Sequence, residues 1–316
     1  VANNSICDCG SQGGLSEVCI VVGATTTRFD FVAENLALKS VQGDGEPIVG
    51  NQGITGSLDL FADHIRKGPA WVEGSLVMNM SAKELDVWLP LVLRGTEVSD
   101  THFPGLLSPS FDIIVKRDQG TFRYNGCQVD KFLITAEAMS EEPSLVTAVI
   151  SVIGKDEVQG TWPNPAPARL STNNLYWLMA DSTLTLNNNE YSFERFSLMY
   201  DNMLTPLIRN SLRPLCIRSE GRRTMLQAQL PMCSNTLDNL YWTPLDGAGS
   251  LNFESSKNLG VSTSQTNFQF ARLYGPKVSP GTRGKSETFL QVNLQSYPGT
   301  TPATDPTLKV YNKFPA

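Results

Sequence analysis

A chain of 316 residues with 41% hydrophobic and 18% charged residues can bury two cores of ordinary size and is too apolar to be disordered. Its net charge of −6, with basic residues only in short pairs such as Arg66-Lys67 and Arg222-Arg223, excludes a surface that grips nucleic acid by neutralising phosphates. No apolar run reaches the roughly 18 residues that a membrane-spanning helix needs, and no basic stretch leading into an apolar core marks a leader peptide at the N-terminus.

Residues 1–27 are rich in Gly, Ser, Asn and Thr around one apolar run, Val18-Cys19-Ile20-Val21-Val22. They are expected to form an N-terminal arm carrying a short strand. Phe29 to Leu38 reads as a strand, Gln42 to Gly53 as a long polar loop or hairpin, and Ile54–Ala62 and Ala70–Met80 as strands. Ser81-Ala82-Lys83-Glu84 is a capping box. It opens a helix whose apolar face is Leu85, Trp88, Leu89 and Val92, and Pro90 is expected to shorten or kink it. Three alternating segments follow, Ser110–Lys116, Gly120–Ile134 and Leu145–Gly154, separated by Gly, Pro and acidic residues. This is the pattern of an antiparallel meander with one buried face.

The alternating prolines of Trp162-Pro163-Asn164-Pro165-Ala166-Pro167 favour extended backbone and mark a linker, 161–172. Beyond it the order of elements repeats at an offset of about 140 to 150 residues. Phe196–Asn202 parallels the opening strand. Arg222–Leu230 parallels Gly74–Met80, and Ser234–Trp242 parallels the first helix. Gly249–Phe253, Asn267–Leu273 and Thr288–Leu294 parallel the meander, and the Pro- and Thr-rich tail after Tyr297 is expected to lie extended. The fold expected is mainly β: two tandem β-barrels or sandwiches, residues 28–160 and 173–316, each flanked by a short α-helix.

Signals for chemistry are weak. Cys7, Cys9 and Cys19 lack both the usual zinc spacing and a fourth ligand, so free thiols are expected, with Cys127 packed as a small hydrophobe. His64 and His102 are the two histidines, and neither sits in a nucleophile elbow or a zincin motif. Glu141-Glu142 lies in a turn between strands, and adjacent strand residues point to opposite faces. Gly10-Ser11-Gln12-Gly13-Gly14 lacks the Lys and Ser/Thr of a phosphate-binding loop. No catalytic, cofactor-binding or metal-binding residues are expected, and the chain is read as a non-enzyme.

Two stretches resemble the tail tube proteins of long-tailed bacteriophages: Tyr124-Asn125-Gly126-Cys127-Gln128-Val129 with its continuation to Phe132, and Val146–Gly154 with its exit Lys155-Asp156-Glu157. Gly74-Ser75-Leu76 before a short helix adds to the likeness. The resemblance covers residues 28–160, and 180–297 by pattern alone. It implies a structural subunit of the virion, assembled in the host cytoplasm into stacked rings of a long flexible tail. Through their lumen DNA passes to the host during genome ejection, without specific binding and without membrane insertion. It also implies tape measure, tail tip and tail terminator proteins as partners. A chain with two barrels is expected to fill a pseudo-hexameric ring as a homotrimer. The rival reading is a β-rich carbohydrate- or other ligand-binding module of a virion or secreted protein.

Overall fold

A computed structural model of the chain describes residues 16–40, 48–49, 65–66, 69–107, 109–117, 120–138, 144–170, 176–231, 245–254, 264–276, 281–283, 287–301 and 306–314. The first stretch holds β1 (Glu17–Val22), β2 (Thr25–Phe29), β3 (Ala33–Glu34) and β4 (Ala37–Ser40), followed by the paired β5 (Ile48–Val49) and β6 (Ile65–Arg66). Next come β7 (Ala70–Asn79), helix α1 (Ala82–Leu93), β8 (Glu97–Val98) and β9 (Thr101–His102). The meander is β10 (Phe111–Arg117), β11 (Gly120–Glu137) and β12 (Thr147–Gly154), closed by β13 (Asp156–Gln159). The later part holds β14 (Ser182–Leu186), β15 (Asn189–Tyr191), β16 (Arg195–Asp201), β17 (Leu204–Leu207), β18 (Cys216–Ser219) and β19 (Arg223–Pro231). It ends with β20 (Leu245–Glu254), β21 (Gln265–Gly275), β22 (Gly281–Arg283), β23 (Glu287–Tyr297) and β24 (Lys309–Lys313). The protein is mainly β, with α1 its one α-helix among the described residues. The expected helix at Ser234–Trp242 and strand at Ile54–Ala62 lie outside them.

Strand β11, 18 residues long, organises the sheets because it belongs to two ladders. Its first part pairs with β10 and β13, and its second part with β12 and β16. Between them Gly126 takes φ +62°, a left-handed conformation that a Cβ would strain, and a bulge falls between Val129 and Lys131. Strand β21 does the same later in the chain: Gln265–Gln269 pairs with β24, and Arg272–Tyr274 with β23. The pairings β2–β1–β10–β11 and β11–β12–β7–β3/β4 are matched strand for strand by β15–β14–β20–β21 and β21–β23–β19–β16. One long sheet therefore runs β3/β4–β7–β12–β11–β16–β19–β23–β21.

Several local expectations change. Phe29–Leu38 is not one strand. Asn35 accepts the Ser75 N–H with its side-chain oxygen and Leu36 turns into the core, which breaks the ladder between β3 and β4. Gly74 makes room for this break, since a Cβ there would sit 2.7 Å from the backbone of Asn35 and Leu36. The tail is extended over its last described part, and it is also tied into the sheet. Its alternation Leu308-Lys309-Val310 buries the two apolar residues, and β24 pairs with both β21 and β9. Pro90 lies within the last turn of the helix, which runs on to Leu93 and closes at Arg94 in the left-handed conformation. The missing proline N–H faces the half-buried side of the helix, beside Asp86, where the cost of an unpaired carbonyl is smallest.

The capping box forms as expected: Ser81 Oγ accepts the Glu84 N–H, and a Glu84 carboxylate oxygen accepts the Ser81 N–H. The apolar face of α1 is buried, with Trp88 packed against Phe29 and edge-on to Phe111 at ring-centroid distances of 5.5 and 5.8 Å. One contiguous apolar core extends from Val18 to Val310, between the long sheet and the layer formed by α1, β1, β10, β14 and β20.

Candidate assembly surfaces

The long sheet buries one face and leaves the other half-exposed. Strand alternation sends Leu76, Ile150, Phe132, Leu198, Leu226 and Leu294 inward. The residues between them form rows on the opposite face. In register these are Ser75–Ser151–Lys131–Asp201–Arg223, then Val77–Val149–Leu133–Met199–Met225–Gln295, then Asn79–Thr147–Thr135–Ser197–Gln227–Asn293, then Glu137–Arg195–Gln229–Gln291. Its charges oppose one another across strands: Lys131 faces Asp201, Asp201 faces Arg223, and Glu137 faces Arg195. Glu73 brings these six to zero, Arg272 is paired with Asp246, and Lys39 on β4 adds one positive charge, so the face presents polar groups without a strong field. A concavity of about 650 Å³ on it is lined by Asn79, Thr135, Glu137, Arg195, Gln227 and Gln229. Glu137 and Arg195, opposite each other, are its ionisable groups.

The sheet joins the earlier and later parts of the chain at β11–β16, through seven registered pairs from Lys131↔Asp201 to Glu137↔Arg195. Asn202 locks the end of this seam. It is wholly buried, and its amide donates to the carbonyls of Val92 and Val129 at 2.9 and 3.0 Å. Asp130 accepts the Asn202 N–H with its backbone carbonyl and the Leu204 N–H with its carboxylate, and burial raises the pKa of that carboxyl. The hairpin β17–β18 then lies back over the earlier strands. Leu212 O accepts the Ala70 N–H, Leu215 O accepts from Lys155 Nζ, and Arg213 Nε donates to Asp156 Oδ1 at 2.6 Å. Trp71, Ile153, Leu204 and Ile217 form a small apolar cluster beneath it.

At one end of the long sheet β3 and β4 pair, among the described residues, with β7 alone. This edge is braced from behind. Arg117 grips the Glu34 carboxylate with Nε and Nη2 at 2.7 and 2.9 Å and also donates to Leu36 O. The Tyr124 hydroxyl donates to Leu36 O at 3.0 Å, and burial pushes its pKa up to about 12. The edge also carries exposed Val32 and Leu38. At the other end β22 pairs, among the described residues, with β23 alone. A rigid, half-apolar edge with open backbone groups is a template for another strand.

The residues weighed for chemistry do not converge. His64, Glu141, Glu142, Cys7, Cys9 and Cys233 lie outside the described residues. Cys19 and Cys127 are buried and Cys216 is exposed. Burial pushes the Cys19 thiol up to about 11 and the Cys127 thiol higher still, which suits packing and not nucleophilic attack. His102 is buried on β9, away from both cysteines. The edges and the seam had no sequence signature: strand alternation shows which face is buried but not which strand lacks a neighbour.

No curated protein matches the chain. The family model described as phage tail tube protein matches residues 52–238, which is more than half of the sequence and includes α1, the meander, the β11–β16 seam and β19. The chain belongs to the phage tail tube protein family, and it is structural and not catalytic.

Proposed function

We propose that three copies of this chain close into a ring by pairing the β3/β4 edge of one copy with the β22 edge of the next, and that the half-exposed face of the long sheet lines the lumen. The observation that carries this reading is the β11–β16 seam. Within one chain it already joins two like-ordered sets of strands, edge to edge, in the arrangement that a ring needs between chains. The repeated pairing order supports reading the chain as a duplicated pair of tube barrels, for which threefold closure would yield pseudo-sixfold symmetry. Closure removes both open edges at once.

The nearly balanced charge of the lining suits a conduit: phosphates passing it are neither gripped by a cationic stripe nor strongly repelled. The hairpin β17–β18, with exposed Leu212 and Leu215, is a candidate for contact with the next ring, as are the polar segment 42–53 and the N-terminal residues by their sequence. Tape measure, tail tip and terminator proteins would meet the stack at its lumen and its ends.

Negative-stain electron microscopy of the concentrated protein tests the reading. Rings with a central hole, three copies each, are expected. The double variant Val32→Lys, Leu38→Lys puts charge on the exposed edge without touching the core, and it is expected to give folded monomers and no rings. Removing residues 1–15 leaves β1 intact and is expected to stop stacking. Rings that form unchanged from the Lys variant would sink the edge-pairing scheme. A stable monomer that binds sugars saturably would replace it with a ligand-binding module.

A further inference from the structure

Three groups from separate elements meet beside the C-terminal end of the core: Asp86 on α1, Glu97 on β8 and His102 on β9. Their ligand atoms all lie within 4.8 Å of one another. The turn between β8 and β9 places Ser99 and Asp100 at φ +50° and +60°, the conformation of a tight hairpin turn, and so sets Glu97 directly opposite His102. Cross-strand partners point to the same side of a ladder. Helix α1 then brings Asp86 over that side.

His102 is 2% exposed, and its Nε2 has no hydrogen-bond partner. The nearest acceptor, Asp86 Oδ1, is 3.6 Å away, which is too far for a hydrogen bond. It is close to the separation of two donors on one ion. Ligands about 2.1 Å from a tetrahedral centre stand roughly 3.4 Å apart. A buried imidazole nitrogen aimed at two carboxylates, with no hydrogen bond to either, is a donor set in need of an acceptor. A simple His–Asp ion pair leaves Glu97 without a role, and it leaves two anions side by side.

We infer that Asp86, Glu97 and His102 form a binding site for a divalent transition-metal ion of the zinc type. Imidazole nitrogen with two carboxylates suits zinc rather than the all-oxygen shells of magnesium and calcium. Asp86 is 35% exposed and Glu97 lies at the surface, so the ion can enter and water completes its shell. Bound there, the ion ties α1 to the β8–β9 hairpin. Through the pairs Val310↔His102 and Tyr311↔Thr101 it also holds the C-terminal strand β24.

The test is isothermal titration of the full-length, EDTA-treated protein with zinc chloride, its reactive thiols first blocked with N-ethylmaleimide so that cysteines cannot ligate. One zinc per chain is expected, with a concentration-dependent rise in the thermal midpoint. Asp86→Asn and Glu97→Gln alter half-exposed or exposed groups, so each variant should match the parent in metal-free circular dichroism. Each should also lose affinity by about tenfold or more. Cobalt bound in place of zinc should give a visible spectrum free of thiolate charge transfer. Absence of stoichiometric uptake by the parent, or uptake that both substitutions leave unchanged, overturns the site.

Discussion

Replacing Glu84 by Gln should make the protein more stable at alkaline pH and leave it little changed in acid. Glu84 is the third helical residue of α1, 2% exposed, and burial raises its pKa from 4.5 to about 7. In the unfolded chain the carboxyl ionises at its ordinary value, so between about pH 4.5 and 7 the native state holds more protons than the unfolded state. The stability associated with the protonated carboxyl is therefore complete below pH 4.5 and is lost as pH rises through 7. Each pKa unit is worth about 1.4 kcal/mol, so the ionised carboxylate costs about 3 kcal/mol above pH 7. Glutamine keeps an oxygen to accept the Ser81 N–H, and so keeps the capping box while removing the titration. Urea unfolding at concentrations where the protein is monomeric, at pH 4.5 and pH 8, reads the gap between variant and parent. That gap should move in favour of the variant by about 3 kcal/mol over the interval. A gap independent of pH refutes the burial argument, and a destabilised variant at both pH values shows that the carboxylate itself is needed in the cap.

Further outcomes follow from the seam, the edge and the thiols. Asn202→Ala leaves the carbonyls of Val92 and Val129 without their buried donor and opens a small void, so denaturant unfolding should show a loss of about 2–4 kcal/mol. Gly74→Ala drives a Cβ into the backbone of Asn35 and Leu36. It should cost about 1–3 kcal/mol by thermal unfolding and displace β3 and β4, so ring formation seen by electron microscopy should fall with it. Thiol labelling of the native protein followed by peptide mapping should modify Cys216 rapidly and leave Cys19 and Cys127 protected until unfolding, because the latter two are buried with raised pKa.

Local patterns were legible in the residues themselves. Ser81 and Glu84 announced the helix start, and alternation marked β10, β11 and β12. These features depend on side-chain spacing and backbone preference over a few residues, which any stretch of sequence carries. Tertiary structure alone decided the rest. That β11 pairs with β16, that β3 and β4 stop at Asn35, and that the tail returns as β24 between β21 and β9 depend on which strands find partners far along the chain. Backbone hydrogen bonds carry no residue code, so pairing is set by packing of the shared core. The meeting of Asp86, Glu97 and His102 belongs with these: a helix and a hairpin bring the three together, and nothing in the residues between them records that approach.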